Sequence, residues 1–104
     1  MTEAMAQQPA APTDQATRVR LRYFAAAAEA AGTSSEDLAV RADCTVGELV
    51  ETLTVAHGPQ LGRVLAISSL LVDGQTRVVA DDGAARLSGA AEVGVDVLPP
   101  FAGG

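Results

Sequence analysis

The 104 residues carry seven basic and thirteen acidic side chains, a formal net charge of −6, 48% hydrophobic residues and a single cysteine. That length builds one domain; the acidic balance disfavours nucleic acid, whose phosphates it would repel, and one cysteine cannot make an intrachain disulfide. No run approaches the ~18 apolar residues of a membrane span, and the opening "MTEAMAQQPAAPTDQATR" lacks the basic-then-apolar order of a signal peptide, so a cytoplasmic protein without membrane contact is expected.

Residues 1–17 are rich in Ala, Gln, Pro and Thr without periodicity and read as a disordered tail, which leaves 18–104 for the domain. "RVRLRYF" alternates, with Val19, Leu21 and Tyr23 on one side and Arg18, Arg20 and Arg22 on the other, which predicts a half-buried strand. "AAAAEAAG" predicts a short helix over 25–31, because alanine is the best helix former and Gly32 suits a left-handed cap. "SSEDLAVRA" predicts a second strand with Leu38, Val40 and Ala42 on one face. "TVGELVETLTVAHG" predicts the main helix: Thr45 and Glu48 have capping-box spacing, and Val46, Leu49, Val50, Leu53 and Ala56 recur along one face. His57-Gly58-Pro59 stops it, and "QLGRVLA" reads as one further helical turn. "SSLLVDGQTRVV" predicts a strand, a tight Asp73-Gly74 turn and a return pairing around 76–79. "ADDGAARLSGAA" is turn-rich, with Leu87 as a core plug, and "EVGVDVL" predicts a last strand with Val93, Val95 and Val97 inward and Gly94 and Asp96 outward. This order predicts an α+β fold: a mixed sheet with one principal helix on one face. If the first and last strands pair in the middle, the fold is a compact β-grasp.

The interior offers little chemistry. Cys44 precedes a helix N-cap and fits either a small buried apolar side chain or a thiol acidified by the helix N-terminus. His57 sits at a helix C-terminus, where it fits a structural end-residue or an isolated base. One Cys and one His make no zinc site, so no metal is expected. Walker A needs a lysine, and the seven basic residues are all Arg. Ser68 and Ser69 lack the glycines of a nucleophile elbow, and Asp81-Asp82-Gly83 reads as a turn rather than a calcium loop. The lysine-free composition reflects genome bias, or suits a chain whose own activated carboxylate must meet no ε-amine.

The chemistry points to "VDVLPPFAGG". Pro99 and Pro100 stop the last strand and favour a stiff, extended projection. Phe101 provides an apolar anchor, and Ala102, Gly103 and Gly104 form a thin thread that a narrow active site can admit. Together with "RLRYFAAAAEAAG", "TVGELVETL" and "LLVDG", this segment resembles the small subunit of molybdopterin synthase, among the ubiquitin-like sulfur carriers, over about residues 19–104. The resemblance implies a β-grasp whose Gly104 carboxylate is adenylated by an ATP-dependent activating enzyme and converted to a thiocarboxylate. The tail, Leu98 to Gly103, then enters a large synthase subunit and delivers sulfur to a pyranopterin precursor. On this reading the chain binds no cofactor of its own, and ATP belongs to the activating partner. Related carriers that supply cysteine or thiamine thiazole synthesis share the diglycine; a ubiquitin-like modifier joining Gly104 to a partner lysine, or a plain β-grasp interaction domain, also fits.

Overall fold

The computed structural model describes residues 16–100. Eight elements follow in chain order: β1 (Ala16–Tyr23), α1 (Ala26–Ala31), β2 (Ser35–Arg41), α2 (Val46–His57), α3 (Pro59–Ala66), β3 (Ser69–Val72), β4 (Gln75–Val78) and β5 (Glu92–Leu98). The tail expected over 1–17 lies outside the described residues as far as position 15; its last two residues already belong to β1. Thr17 is buried and its hydroxyl donates to the Ala90 carbonyl at 2.8 Å, while the Arg18 amide donates to Ala91 at 2.8 Å. Pairing of Ala16 with Arg41 and Thr17 with Val40 on β2, together with these bonds to a distant loop, extends the strand to Ala16; local composition cannot reveal either.

The sheet has the order β2-β1-β5-β3-β4. The first and last strands are central neighbours and run parallel, with Val19 beside Val93, Leu21 beside Val95 and Tyr23 beside Val97. All six side chains are buried. A parallel pair needs a long crossover, and everything between β1 and β5 supplies it. The remaining pairings are antiparallel. Edge strand β2 contributes Leu38 and Val40, which pack partly buried against the core. This is the expected mixed-sheet β-grasp.

Thr45 and Glu48 form the predicted capping box: the Glu48 amide donates to Thr45 Oγ1 at 3.1 Å and the Thr45 amide to Glu48 Oε1 at 3.0 Å. The first turn of α2 is tied down further by a distant loop. Val46 donates to the Ala85 carbonyl at 2.8 Å and Gly47 to the Gly83 carbonyl at 2.9 Å, which satisfies amides that have no acceptor within a helix. Leu87 is the core plug expected, and its amide donates to Cys44 at 3.0 Å.

Two expectations about the helices change. Ala56 is exposed rather than part of the buried face. The buried stripe runs Val46, Leu49, Leu53, and its helical continuation is His57, which leaves Ala56 at the margin. The "QLGRVLA" turn is an eight-residue helix, α3, with Leu61 and Leu65 fully buried; the sheet therefore carries a second substantial helix beside the principal one. Proline at its first turn suits a helix start. Gly62 weakens the local helix signal but permits the packing, because a Cβ there would lie 2.8 Å from Thr54 Cγ2 on α2. The β3–β4 hairpin turns on Asp73 (φ 47°) and Gly74 (φ 86°), the two positive φ values of a two-residue turn. Its return strand begins at Gln75, one residue ahead of the expected pairing.

Candidate functional site

Leu98 ends β5, the central strand of the sheet, which is paired on both sides. Alternation sends Val97 into the core and Leu98 to the open face, opposite the helices. In register, Leu98 lies beside Ser69, and Ser69 beside Val78. On the other flank Phe24 directly follows Tyr23, the partner of Val97. Phe24, Leu98 and Val78 thus lie on one line across the open face, 41%, 38% and 38% exposed, an apolar strip with Ser69 between Leu98 and Val78. Three large apolar side chains on one line across a sheet suit a surface that a partner covers.

The neighbouring rung is charged. Arg22 forms a bidentate pair with Asp96, Nε to Oδ1 and Nη2 to Oδ2 both at 2.9 Å, and its guanidinium lies 5.7 Å from the centre of the Phe24 ring. The hydrogen bonds and negative charge of Asp96 push the already high Arg22 pKa further up. The Asp96 pair thereby holds the guanidinium over the Phe24 ring, at the border of the strip.

Of the tail residues singled out in the sequence, Leu98, Pro99 and Pro100 are described. Pro99 is half-buried, and Pro100 and Leu98 are exposed. Phe101, Ala102, Gly103 and Gly104 lie outside the described residues. Phe24, Val78 and Arg22 were not among the expected contact residues. For Phe24 and Arg22 a signal existed: both continue the outward side of the "RVRLRYF" alternation. Val78 carried none, because only the hairpin register brings it beside Ser69.

The interior candidates have structural partners. Cys44 is 6% exposed; burial, with Glu48 and Asp43 nearby, pushes its thiol pKa up, away from a reactive thiolate. Its two open readings resolve to the buried apolar one. Ser68 is buried and donates to the Val64 carbonyl at 2.6 Å. Asp82 accepts the Val78 amide at 2.7 Å within its turn.

His57 has a partner that the sequence did not suggest. Glu36 Oε2 lies 2.5 Å from His57 Nε2 and accepts the Tyr23 hydroxyl at 2.5 Å, and the Tyr23 and His57 rings meet edge to face at 6.1 Å. Burial alone pushes the Glu36 carboxyl up, but the bonds from Tyr23 and His57 and the charge of His57 outweigh it and hold the carboxyl below its ordinary value. Burial and the same acceptor drive the Tyr23 phenol far up. The cluster ties β1, β2 and the end of α2 together.

No protein-family model and no curated protein sequence matches the chain. Solved structures do. The Haloferax volcanii HVO 2177 protein is 31% identical, with 86% of this chain aligned to 89% of that one at a TM-score of 0.63. SAMP1 from Haloferax volcanii is 29% identical over 84% of this chain and 99% of its own, TM-score 0.64. A Pyrococcus furiosus protein described as a candidate molybdopterin converting factor, subunit 1, is 22% identical over 82% of this chain and 99% of its own, TM-score 0.64; at that identity the likeness is one of fold.

Proposed function

The chain belongs to one family with the Haloferax volcanii HVO 2177 protein and has the ubiquitin-like β-grasp fold, and from that premise we propose that it is a ubiquitin-like sulfur carrier working through the carboxylate of Gly104. In its most specific form the reading is the small subunit of a molybdopterin synthase. The observation that carries it is the geometry of the tail root: a central strand ends at Leu98 beside the Phe24–Leu98–Val78 strip and passes into Pro99-Pro100. A partner that covers the strip receives the segment after it in one orientation.

The chemistry follows from a bare carboxylate. Its oxygen attacks the α-phosphorus of ATP held by an activating enzyme, and pyrophosphate leaves. A sulfur nucleophile then adds to the acyl carbon, AMP departs, and a thiocarboxylate remains. In the large synthase subunit the sulfur passes to a pyranopterin precursor. ATP and the acid–base groups belong to the partners, while this chain contributes the acyl carbon and a defined approach. Cys44, buried with its thiol pKa raised, is left out of the relay.

A second reading has its own support: SAMP1, at 29% identity, is by name a small archaeal modifier protein. A modifier would join Gly104 to a lysine of another protein through the same adenylate. One experiment separates the two. The chain is incubated with its activating enzyme, ATP and hydrosulfide, then with a thiol-alkylating reagent and mass analysis of the last peptide. A trapped thiocarboxylate supports the carrier; an isopeptide on a second protein, without thiocarboxylate, favours the modifier. Removing Gly104, or adding one residue after it, should abolish both, because one residue shifts the reacting carbon by about 3.3–3.6 Å and ~1 Å of misplacement can cost on the order of 100-fold. Sulfur delivered at the native rate by either variant refutes the proposal.

A further inference from the structure

Gly94, in the central strand β5, is the one glycine inside a strand among the described residues. Glycine weakens a sheet, since it has the most backbone freedom to lose and no side chain to pack. The glycines inside helices have a reason within the chain: a Cβ at Gly62 would lie 2.8 Å from Thr54 Cγ2, and one at Gly47 would lie 3.1 Å from the Gly83 carbonyl oxygen. Gly94 has no such reason. Its φ is not positive, and a Cβ built on it meets Asp73 Oδ1 at 3.6 Å, an ordinary van der Waals distance. It belongs to the outward series of β5, followed by Asp96 and Leu98. Arg20 lies beside it on β1. On the other side the Asp73 amide donates to the Gly94 carbonyl at 2.9 Å, and the Gly94 amide donates to Asp73 Oδ1 at 2.8 Å. Over Gly94 lies a groove of about 540 Å³, with Arg20 and Asp73 on opposite sides, Leu71 in its lining and the Arg22–Asp96 pair toward the tail root.

We propose that this groove seats a main-chain segment of the activating enzyme, which crosses the open face at Gly94 with a peptide carbonyl toward Arg20 and a peptide N–H toward Asp73. The inference rests on the carrier reading, which requires such an enzyme. A strand glycine with no cause in its own chain marks the place where another backbone comes close. The flanking charges match the two ends of a peptide dipole: a guanidinium has five N–H donors, and Asp73 has a second carboxylate oxygen beyond the one that accepts the Gly94 amide. Strands β1 and β3 lie about 9.6 Å apart on either side of β5, which leaves one extended segment about 4.8 Å from each. Leu98 is four residues on, about 13 Å along β5, so the groove continues the apolar strip and one partner covers both. A side chain at position 94 would stand in the path of the segment and hold it off.

The test adds a side chain there. Full-length wild type, Gly94→Ala, Gly94→Val and Ala39→Val are compared by thermal melting and by the carrier concentration that gives half-maximal ATP–pyrophosphate exchange on the activating enzyme, with a chain lacking Gly104 as the blank. Ala39 is the control: it is exposed on the outward series of edge strand β2, roughly 12 Å from Gly94. Both variants of Gly94 should melt at or above wild type, because either side chain suits a strand better than glycine. Gly94→Val should raise the half-maximal concentration at least ~10-fold and Gly94→Ala at least ~3-fold, with the maximal rate kept, and Ala39→Val should leave it unchanged. Should Gly94→Val fold poorly, Gly94→Ala decides alone. A Gly94→Ala chain that melts below wild type shows that the glycine serves its own fold, and overturns the inference. An unchanged half-maximal concentration in a stable Gly94→Ala chain, or an equal rise in Ala39→Val, overturns it too, while the carrier reading stands. If wild type gives no exchange above the blank, the carrier reading fails and this inference falls with it.

Discussion

Replacing Leu65 by alanine tests whether α3 belongs to the core. Leu65 is fully buried on the inner side of that helix. The substitution removes the equivalent of three methylene groups; at about 0.8 kcal/mol each the transfer contribution is about 2.4 kcal/mol. The cavity left between α3 and its neighbours adds to this, so a loss of about 3–4 kcal/mol is expected, within the ~2–5 kcal/mol spread of buried leucines. At about 0.05–0.15 kcal/mol per residue a domain of this size has roughly 4–13 kcal/mol in total, so the loss is a large share of it. With ~4–8 °C of melting temperature per kcal/mol in small domains, the midpoint should fall by well over ~10 °C. Urea denaturation followed by far-ultraviolet circular dichroism measures the change, with an unaltered m-value as the sign that the unfolded ensemble is the same. Val55→Ala, at a position 82% exposed on α2, is the control and should stay within ~0.5 kcal/mol. If Leu65→Ala also stays within ~0.5 kcal/mol, α3 is not a core element and "QLGRVLA" is the loose turn its local sequence suggests.

Gly74→Ala should cost about 1–2 kcal/mol, because Gly74 holds φ +86° and space is open around it; an unchanged urea midpoint means the hairpin turns otherwise. Glu36 sets part of the acid stability. Its folded pKa lies below the ordinary glutamate value, so the folded state binds protons less readily, and the stabilisation present above the unfolded pKa is lost as pH falls through the folded one. Wild type should therefore lose more stability than Glu36→Gln on acidification below about pH 4.3; parallel stability curves from pH 6 to 3 would refute the link. Leu98→Asp should leave the melting temperature nearly unchanged while raising the carrier concentration needed for half-maximal ATP–pyrophosphate exchange by about 5–30-fold, the effect of ~1–2 kcal/mol at an interface anchor. An unchanged value removes the apolar strip from the activating interface.

The sequence by itself determined those features whose cause is local. The alternation of "RVRLRYF" and "EVGVDVL" assigns inner and outer faces because side chains alternate across a strand, whatever lies beside it. Thr45 and Glu48 close a capping box within four residues, and Asp73-Gly74 meets the dihedral demands of a tight turn unaided. The Pro-Pro-Phe-Ala-Gly-Gly thread was legible for the same reason, since it is a property of covalent chain and side-chain bulk. Tertiary structure decided whatever needs a distant neighbour. Ala16 and Thr17 join β1 because they pair with Arg41 and Val40 of β2 and because residues 90 and 91 accept bonds from Thr17 and Arg18, and α3 holds because α2 accommodates Gly62 against Thr54. His57 finds Glu36 twenty-one residues back in the chain. The apolar strip was hidden for the deepest reason: Leu98 and Val78 come from two strands and Phe24 directly follows a third, and only the parallel pairing of β1 with β5 and the hairpin register bring them onto one line. Sequence periodicity shows which way a side chain points, whereas what it points beside is set by the pairing of strands far apart in the chain.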